Sequence, residues 1–407
     1  MVRNPFKPGA GHMPPYLAGR NDEQQAFKQL LAQNVVTQNL VLTGLRGVGK
    51  TVLLETLKPI AIDQNWLWTG TDMSESASIS ENRLATRLLT DISIIAAPLL
   101  VQETIKTPIG FNSKDQTRSQ SVGFHSLKQF YDAEPGLEAD KLKSLLRFLW
   151  EALREKTNGI VFAYDEAQVL EDHAGDREFP LSMLLEVFQS IQKQGIPFLL
   201  VLTGLPTLTS KLVEARTYSE RMFKTVTLSQ LDPEETKQAI IEPTQSQNSP
   251  LRFEVHEVNE IAKMSSGYPY FIQYISREFF DACIANINRG QRPNVPKQAI
   301  IAKLDNDFFT ARWERATDRE RDLMFAISQL DTCNDEFTVS EIIKSSRDNL
   351  ARPFSPSSVS QMLGRLGDKG LIFKSRHGKY SFAVPLLAQF IRRQVQTTPD
   401  LFETPAN

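Results

Sequence analysis

The sequence predicts an α/β protein in which a parallel sheet is covered by helices, followed by an all-helical domain and a smaller C-terminal module. Short apolar runs alternate with helical patterns up to residue 231, which is the order that parallel sheets require. Strand patterns vanish after Asp232 and return only at 371–375 and 379–383. Three regions of different architecture are therefore expected along the chain.

Composition and charge narrow the class of protein before any motif is considered. The chain has 407 residues, 41% hydrophobic and 23% charged, which is typical of a multidomain globular protein and excludes a disordered or fibrous one. The net charge of −2 means that nucleic-acid binding must come from a local basic patch. Two cysteines and five scattered histidines predict neither a disulfide framework nor a metal site built from cysteine or histidine. Without an apolar leader or membrane-length apolar run, we expect a cytoplasmic protein with no membrane partner.

The first 231 residues carry the alternation of strands and helices. Residues 1–20 are rich in proline and glycine, which predicts an extended arm. A polar stretch at 110–121, inside a mainly helical region at 75–158, predicts a loop. The other predicted elements are helices within 20–35, at 51–57 (ending near Pro59) and at 181–194, and strands at 39–43, 65–69, 160–164, 197–203 and 225–228.

The rest of the chain is predicted to be a helical domain and a mixed module. Asp232 suits a helix N-cap, Pro233 suits the first turn, and the acidic residues that follow favour the helix dipole. The predicted helices lie at 233–243, 254–265, 269–287 and 296–308, and then at 317–329, 338–346, 355–369 and 385–396, the last after the two short strands.

The turn after the first strand matches a phosphate-binding sequence. Residues 44–51 read GLRGVGKT, which fits G-x-x-x-x-G-K-[ST] and lies between a predicted strand and helix. Glycines let successive N–H groups turn toward phosphate oxygens, while Lys50 can reach the β- and γ-phosphates and Thr51 can bind Mg²⁺. The sequence therefore predicts ATP and Mg²⁺ as ligands. The predicted nucleotide contacts in this segment are Gly44, Leu45, Arg46, Gly47, Val48, Gly49, Lys50, Thr51 and Val52.

Two carboxylates follow the strand at 160–164. Asp165 is predicted to bind Mg²⁺ together with Thr51, and Glu166 to orient and polarise the attacking water. Because the carboxyl ends of parallel strands meet at one edge, the pair is expected beside the γ-phosphate. The alternative is that the pair only begins a helix at Ala167.

Two further positions are candidates for the same chemistry. Thr203 ends the next strand and is predicted to hydrogen-bond the attacking water or the γ-phosphate; the alternative is a turn residue before Gly204. Arg216 and Arg221 precede the strand at 225–228, and an arginine there can stabilise transition-state charge on a neighbouring subunit. Arg221 is preferred because it lies closer to the strand, and the alternative is a surface arginine.

The C-terminal module combines an amphipathic helix with a basic surface. Between residues 344 and 393 there are ten basic residues and two acids, a net of 10 − 2 = +8 in a chain that is otherwise acidic. This charge predicts that the helix enters the DNA major groove and that the hairpin tip meets adjacent phosphates. The alternative is a surface that binds protein. The predicted apolar face is Val359, Met362, Leu363 and Leu366, and the predicted DNA contacts are Ser357, Ser358, Gln361, Arg365, Lys374, Arg376 and Lys379.

Together these motifs resemble those of the AAA+ ATPases, and within them the initiator-like (Orc1/Cdc6-type) branch and the related STAND ATPases. Residues 44–51 correspond to the Walker A motif and the pair Asp165 and Glu166 to Walker B. Thr203 stands at the sensor-1 position and Arg221 at the arginine-finger position, which implies a homo-oligomer in which Arg221 acts in trans.

The resemblance also implies the outline of the domains. The segment at 15–20 looks like one that packs by the adenine, which makes Leu17 a nucleotide contact, and Pro269 in the lid is another. The C-terminal pattern is similar to a winged helix. The implied domains are an arm and first helix at 1–35, an ATPase core at 36–231 with a helical insertion at about 75–150, a lid at 232–310, a winged helix at 311–400 and a tail at 401–407.

One departure from the family bears on the activity. Many AAA+ lids carry a sensor-2 arginine early in the third helix, whereas here no arginine occurs between Ser266 and Arg277. This favours slow ATP hydrolysis that switches conformation or assembly, and the lack of an Asn-Lys-x-Asp motif argues against GTP. The predicted function is a Mg²⁺-dependent ATPase acting on DNA or a DNA-bound complex, with a protein partner. The alternative is a STAND-like nucleotide-gated scaffold or signalling adaptor whose winged helix binds protein.

Overall fold

The chain divides into two compact units. The structure is a computed structural model that describes residues 3–9, 11–33, 35–105, 116–245, 249, 251–291 and 295–397. The sheet unit consists of Arg20–Thr43 and Leu53–Thr227, and the lid unit of Met1–Gly19, Gly44–Val52 and Leu228–Asn407. Residues 110–115 of the predicted polar loop and the predicted tail at 401–407 lie outside the described residues.

The sheet unit is built on a five-stranded sheet in the order β2-β5-β6-β1-β7. Pairs β2–β5, β5–β6 and β1–β6 are parallel, and their register sets Thr43 of β1 opposite Gly204 of β6. The carboxyl ends of β1, β5 and β6 therefore lie at one edge of the sheet. The strands are β1 (Asn39–Gly44), β2 (Trp66–Thr69), β5 (Gly159–Tyr164), β6 (Phe198–Gly204) and β7 (Phe223–Leu228).

Helices cover both faces of this sheet, as parallel sheets require. In β5, Ile160, Phe162 and Tyr164 join the main apolar cluster, whereas Val161 and Ala163 are buried outside it. Since side chains alternate along a strand, the second set faces the other side of the sheet. The helices of the unit are α1 (Asn21–Leu31), α2 (Lys50–Asp63, shared with the lid unit), α3 (Glu75–Ser78), α4 (Glu81–Ala96), α5 (Phe124–Ala133), α6 (Glu138–Leu153), α7 (Pro180–Lys193), α8 (Thr207–Ala215) and α9 (Ser219–Met222).

The predicted α/β class is confirmed, and two local predictions are wrong. Helix α2 does not end near Pro59 but continues to Asp63. Proline removes only the bond to the carbonyl of Glu55, and Glu55 is exposed, so water can satisfy that group. The residues at 116–121 are not a loop: they form β4 (Gln116–Ser121), which pairs antiparallel with β3 (Leu100–Ile105). Backbone pairing overrides the polar composition that predicted the loop.

The lid unit begins with the N-terminal arm, which packs on the helices of the predicted lid. Phe6 is buried in an apolar cluster with Leu251, Phe280 and Cys283, and the backbone N–H of Lys7 donates to a lid glutamine. The arm is therefore ordered by lid contacts. The lid helices are α10 (Pro233–Gln245), α11 (Val255–Ser265), α12 (Pro269–Asn288) and α13 (Lys297–Leu304), which continues through a π-helical turn at Asp305–Thr310 into α14 (Ala311–Glu314).

The C-terminal module contains the predicted helices and hairpin. All four residues of the predicted apolar face, from Val359 to Leu366, are buried, which confirms the periodicity. The hairpin strands pair antiparallel. The elements are α15 (Asp318–Ser328), α16 (Val339–Asn349), α17 (Pro356–Asp368), β8 (Ile372–Arg376), β9 (Lys379–Phe382) and α18 (Leu387–Thr397).

Candidate functional site

The phosphate loop joins β1 to α2 and has the backbone conformation that its glycines permit. Gly47 has φ +79° and Gly49 has φ +90°, a region that residues with a Cβ rarely adopt. A Cβ added at Gly47 would lie 3.1 Å from the Cβ of Tyr270, so this close approach also favours glycine there. Helix α2 begins at Lys50, so its N-terminal N–H groups follow the turn directly. Such a turn is suited to binding an anion.

Lys50 places its charge inside this loop. Its ammonium donates to the carbonyl of Gly44 at 3.0 Å and to the carbonyl of Leu45 at 2.9 Å. The residue is buried, with 8% of its surface exposed, so the ammonium is held at the loop and does not extend into solvent. Thr51, the next residue, is half-buried on the first turn of α2.

The start of a lid helix is bonded to the loop. The N–H of Tyr270 donates to the carbonyl of Gly47 at 3.1 Å. Pro269 is the first residue of α12 and has no N–H, so Tyr270 supplies the first donor of that helix. Pro269, a predicted nucleotide contact, is therefore next to a residue that contacts the phosphate loop.

The N-terminal arm also passes the loop. A Cβ added at Gly11 would lie 3.3 Å from the Cγ2 of Thr51, so the arm runs beside the first turn of α2. Leu17, the other predicted contact from this region, is half-buried between Tyr16 and buried Ala18. The hydroxyl of Tyr16 donates to Gln238 on α10 at 3.4 Å, which fixes this part of the arm on the lid.

A cation that sequence reasoning missed lies near the loop in the lid unit. The guanidinium of Arg312 stacks 4.4 Å from the ring of Phe308, which in turn lies 5.3 Å from the ring of Tyr270. Burial, and then the charge of Arg46, lowers the pKa of Arg312. Arg312 is remote from the motif in sequence, so no local pattern indicates this neighbourhood.

The acidic pair follows β5 in the sheet unit, and Asp165 is held tightly there. Only 3% of Asp165 is exposed, and its Oδ1 accepts from the backbone N–H of Glu166 at 2.7 Å and from the hydroxyl of Thr203. Thr203 is fully buried at the end of β6. The structure therefore places the Thr203 hydroxyl against the predicted metal ligand, where it fixes the carboxylate.

Glu166 differs from Asp165 in conformation and exposure. It adopts the left-handed region at φ 52°, which turns the chain away from β5 directly after Asp165, and it is exposed. Its carboxylate accepts from the side-chain amide of Gln168. The alternative role predicted for this pair, as a helix start, is partly realised, because a short 3₁₀ turn follows at Ala167–Val169.

Asp72 is a third carboxylate at this edge that sequence reasoning missed. A bridge pairs it with Asp165, extending the alignment of β2 with β5. Partial burial, followed by the charges of Asp165 and Glu166, raises the pKa of Asp72. Its place three residues after a predicted parallel strand was a usable signal. Among the residues that the structure describes, no group of three or more His, Cys, Asp or Glu forms a metal site by itself.

The two arginines before β7 have different surroundings. Arg216 pairs with Glu186 at 3.3 Å, with both side chains about 40% exposed. Arg221 lies exposed on α9, and no ion pair involves it within the described part of the chain. Of the two, Arg221 is the one whose guanidinium is available at the surface.

The predicted DNA-binding residues have mixed environments. Ser357, Gln361, Arg365, Lys374 and Arg376 are exposed, while Ser358 and Lys379 are half-buried. Four of the ten basic residues counted in the module pair with acids outside that stretch. These pairs are Arg365 and Lys369 with Glu320, Arg376 with Glu336, and Arg393 with Asp305. The net of +8 counted from the sequence therefore overstates the charge available to a ligand.

Within the described residues, every helix is too short or too polar to span a membrane.

Comparisons with known proteins agree with this architecture. A family model described as a domain of unknown function, DUF8462, matches residues 306–391. No curated protein matches the sequence. The ORC2 protein of Aeropyrum pernix, solved in ADPNP–ADP complexes, aligns over 97% of this chain and 98% of its own, with 13% identity and a TM-score of 0.55. A Walker-type ATPase of Pyrococcus abyssi aligns over 92% of this chain and 96% of its own, with 16% identity and a TM-score of 0.52.

At these identities the similarity concerns the fold. It extends over nearly the whole chain, so it includes the sheet unit as well as the helical regions that follow. The chain therefore has an α/β fold with a parallel sheet and following helical regions, and it shares this fold with both solved structures.

Proposed function

We propose that the chain binds ATP with Mg²⁺ and hydrolyses it slowly, using the nucleotide to switch conformation or assembly. The observation that carries this proposal is the phosphate loop, in which two glycines hold left-handed backbone and the Lys50 ammonium is held against the loop. A turn of this kind at a helix N-terminus binds polyphosphate in P-loop NTPases. The predicted contacts at 44–52, with Leu17 and Pro269, belong to this proposal.

We assign ATP hydrolysis to the acidic pair, Asp165 and Glu166, which follows β5 in the sheet unit. In P-loop NTPases the phosphate loop and an acidic residue outside it act on the same nucleotide and its Mg²⁺, and we propose the same roles for residues 44–52 and the acidic pair. In the proposed reaction the water oxygen bonds to the γ-phosphorus as the bond to the ADP oxygen breaks, and a water proton passes to Glu166. Asp165 is held in place for this by Thr203.

The donor set fits Mg²⁺. One buried carboxylate, Asp165, and one hydroxyl, Thr51, are the hard oxygen ligands that this ion takes while keeping waters and substrate phosphates in its shell. Bound Mg²⁺ supplies charge neutralisation at the phosphate oxygens. Lys50 is proposed to stabilise the negative charge of the phosphate oxygens from the loop. Arg221 is proposed to do the same from a neighbouring subunit of a homo-oligomer.

The C-terminal module is proposed to be a winged helix that contacts DNA or a DNA-bound complex. Exposed Gln361 and Arg365 on α17, with Lys374 on the hairpin, form the surface for this contact. The proposed domain boundaries are those predicted from the sequence, from the arm at 1–35 to the winged helix at 311–400, and the proposed compartment is the cytoplasm.

A second function is favoured by the ion pairs of the same module. Because four of its ten basic residues pair with nearby acids, the surface also suits a protein partner, as in a nucleotide-gated scaffold or adaptor. The experiment that separates the two is the ATPase rate of the full chain with and without duplex DNA across a salt series. Stimulation that falls steeply with salt supports the DNA-linked ATPase. Turnover unchanged by DNA, with no retention of DNA at low salt, supports the adaptor.

A further inference from the structure

Gln168 links the catalytic-site candidate Glu166 to the end of β6. The side-chain Nε2 of Gln168 donates to Oε2 of Glu166, and its Oε1 accepts from the backbone N–H of Leu205 at 3.0 Å. Leu205 lies two residues beyond Thr203, whose hydroxyl bonds Asp165. The segment 203–205 thus holds both acids, Asp165 directly and Glu166 through Gln168.

The orientation of the Gln168 amide is fixed by its partners. A backbone N–H only donates, so the atom facing Leu205 must be the amide oxygen. A carboxylate only accepts, so the atom facing Glu166 must be the amide nitrogen. Reversing the amide would place its NH₂ group against the N–H of Leu205 and its oxygen against the carboxylate of Glu166. The bridge therefore has a single favourable arrangement.

The bridge is supported on both sides. The ammonium of Lys211 donates to the backbone carbonyl of Gln168 at 2.8 Å and pairs with Glu171 at 2.8 Å, which holds the turn carrying Gln168. A Cβ added at Gly204 would lie 2.7 Å from the Gln168 Oε1. Glycine at 204 therefore makes room for the amide, which explains a glycine directly after Thr203.

We propose that Gln168 is a positioning residue that acts through Glu166. By holding Oε2, the amide aims the carboxylate and leaves Oε1, which has no hydrogen bond within the described residues, for the attacking water. This inference rests on the proposed ATPase function. It predicts an effect on the rate of hydrolysis and not on ATP binding, because Gln168 lies in the sheet unit and not in the phosphate loop.

The test compares Gln168→Met, which keeps length and removes the amide, with Gln168→Glu, which sets a second carboxylate against Glu166. Gln168→Met is expected to lower kcat about tenfold, the size of one hydrogen bond to a charged group, with KM and ATP affinity unchanged within about twofold. Gln168→Glu is expected to lower kcat further because the carboxylates repel. The matched control is Gln194→Met, an exposed glutamine bonded to the carbonyl of Ser190 at 3.1 Å, which should leave kcat unchanged.

A double-mutant cycle provides a measurement that a merely structural role would not move. In a Glu166→Gln background, measured in single-turnover assays, Gln168→Met should cause no further loss, because its effect passes through the missing carboxylate. Additive losses, or a wild-type kcat in Gln168→Met, would overturn the proposal. Gly204→Ala supplies a second route, since its methyl group displaces the amide and should reproduce the kcat loss. Absence of ATP binding by the wild-type chain would instead overturn the ATPase function itself.

Discussion

The phosphate loop and the C-terminal module both contain charged residues that the sequence marks as functional, but these residues find their partners differently. In the loop, Lys50 lies at the turn that contains it, bonded to carbonyls five and six residues away. In the module, Arg365 and Lys369 form ion pairs with Glu320, and Arg376 forms one with Glu336. The chemistry of the loop is thus encoded locally, whereas the charge of the module depends on residues outside the stretch in which it was counted.

This difference follows from the groups with which each region would contact its ligand. The loop uses backbone N–H groups and one ammonium, and the glycine conformations that arrange them depend on adjacent residues. A basic surface uses side chains that pair with whichever acids the fold brings near. Substitutions in the loop should therefore act on nucleotide, and substitutions in the module should act on stability as well as on any ligand.

Lys50→Ala tests the local half of the comparison and should have the largest effect. Removing the ammonium from the loop is expected to weaken ATP binding by more than about a hundredfold, with turnover lost in parallel. Binding is measured by titration with a fluorescent ATP analogue. Lys58→Ala, an exposed lysine on the same helix, is the control. Equal affinity in the two variants would show that the loop does not bind nucleotide.

Glu166→Gln separates binding from turnover. Losing the carboxylate is expected to lower kcat about a hundredfold or more while ATP affinity stays within about threefold, because general-base assistance acts on the transition state. Multiple-turnover phosphate release and equilibrium binding are measured on the same preparation. Wild-type kcat in this variant would remove Glu166 from the chemistry.

Glu320→Gln tests whether the charges of the module are structural. Glu320 is 1% exposed, and its carboxylate accepts from Lys369 at 2.5 Å and from the N–H of Thr317 at 2.8 Å. We expect a loss of about 2 kcal/mol in unfolding free energy, below the figure for wholly buried pairs because Lys369 is partly exposed. The urea midpoint of the full chain measures this, with exposed Glu314→Gln as control. An unchanged midpoint would mean that the pair has no structural role.

The same residue gives a pH dependence with a defined sign. Burial raises the pKa of Glu320, but hydrogen bonds from Lys369 and Thr317 outweigh it, and the net result is a pKa below its ordinary 4.5. A carboxylate whose pKa is lower in the folded state than in the unfolded state stabilises the fold at pH values above the unfolded-state pKa. This stabilisation is lost as the pH falls through the folded-state pKa. The wild-type midpoint should therefore drop more steeply below pH 4.5 than that of Glu320→Gln. Parallel profiles would contradict this sign.

Lys374→Glu should have the smallest effect and addresses the DNA surface. Lys374 is exposed on β8, and no ion pair involves it within the described part of the chain. Duplex DNA binding is expected to weaken a fewfold, with the slope of log affinity against log salt reduced by about one, as for a single phosphate contact. Lys28→Glu on α1 gives the same charge change elsewhere. Equal weakening in both variants would assign the effect to net charge alone.

Sequence alone predicted the parts of the site that depend on local patterns. The strand before the phosphate loop, the glycine turn and the acidic pair after β5 all lie where the pattern placed them. These predictions rest on periodicity and on a motif whose geometry is set by consecutive residues. The same holds for the apolar face of α17, since burial follows a fixed helical spacing.

The rest depends on contacts between distant residues. Gln168 stands two residues after the acidic pair, but its role becomes visible only when β6 brings Leu205 to it. Arg312 approaches Tyr270 through the ring of Phe308, which no spacing indicates. Strand β4 has a polar sequence and forms only by pairing with β3. Asp72 is the exception among the residues that the sequence analysis missed, because its position three residues after a predicted parallel strand could have indicated it.

Isothermal titration of the full chain with ATP in the presence of Mg²⁺ tests the central claim most directly. The account predicts saturable binding at one nucleotide per chain, lost in Lys50→Ala and retained in Glu166→Gln. Binding that does not saturate, or that Lys50→Ala leaves intact, would contradict it.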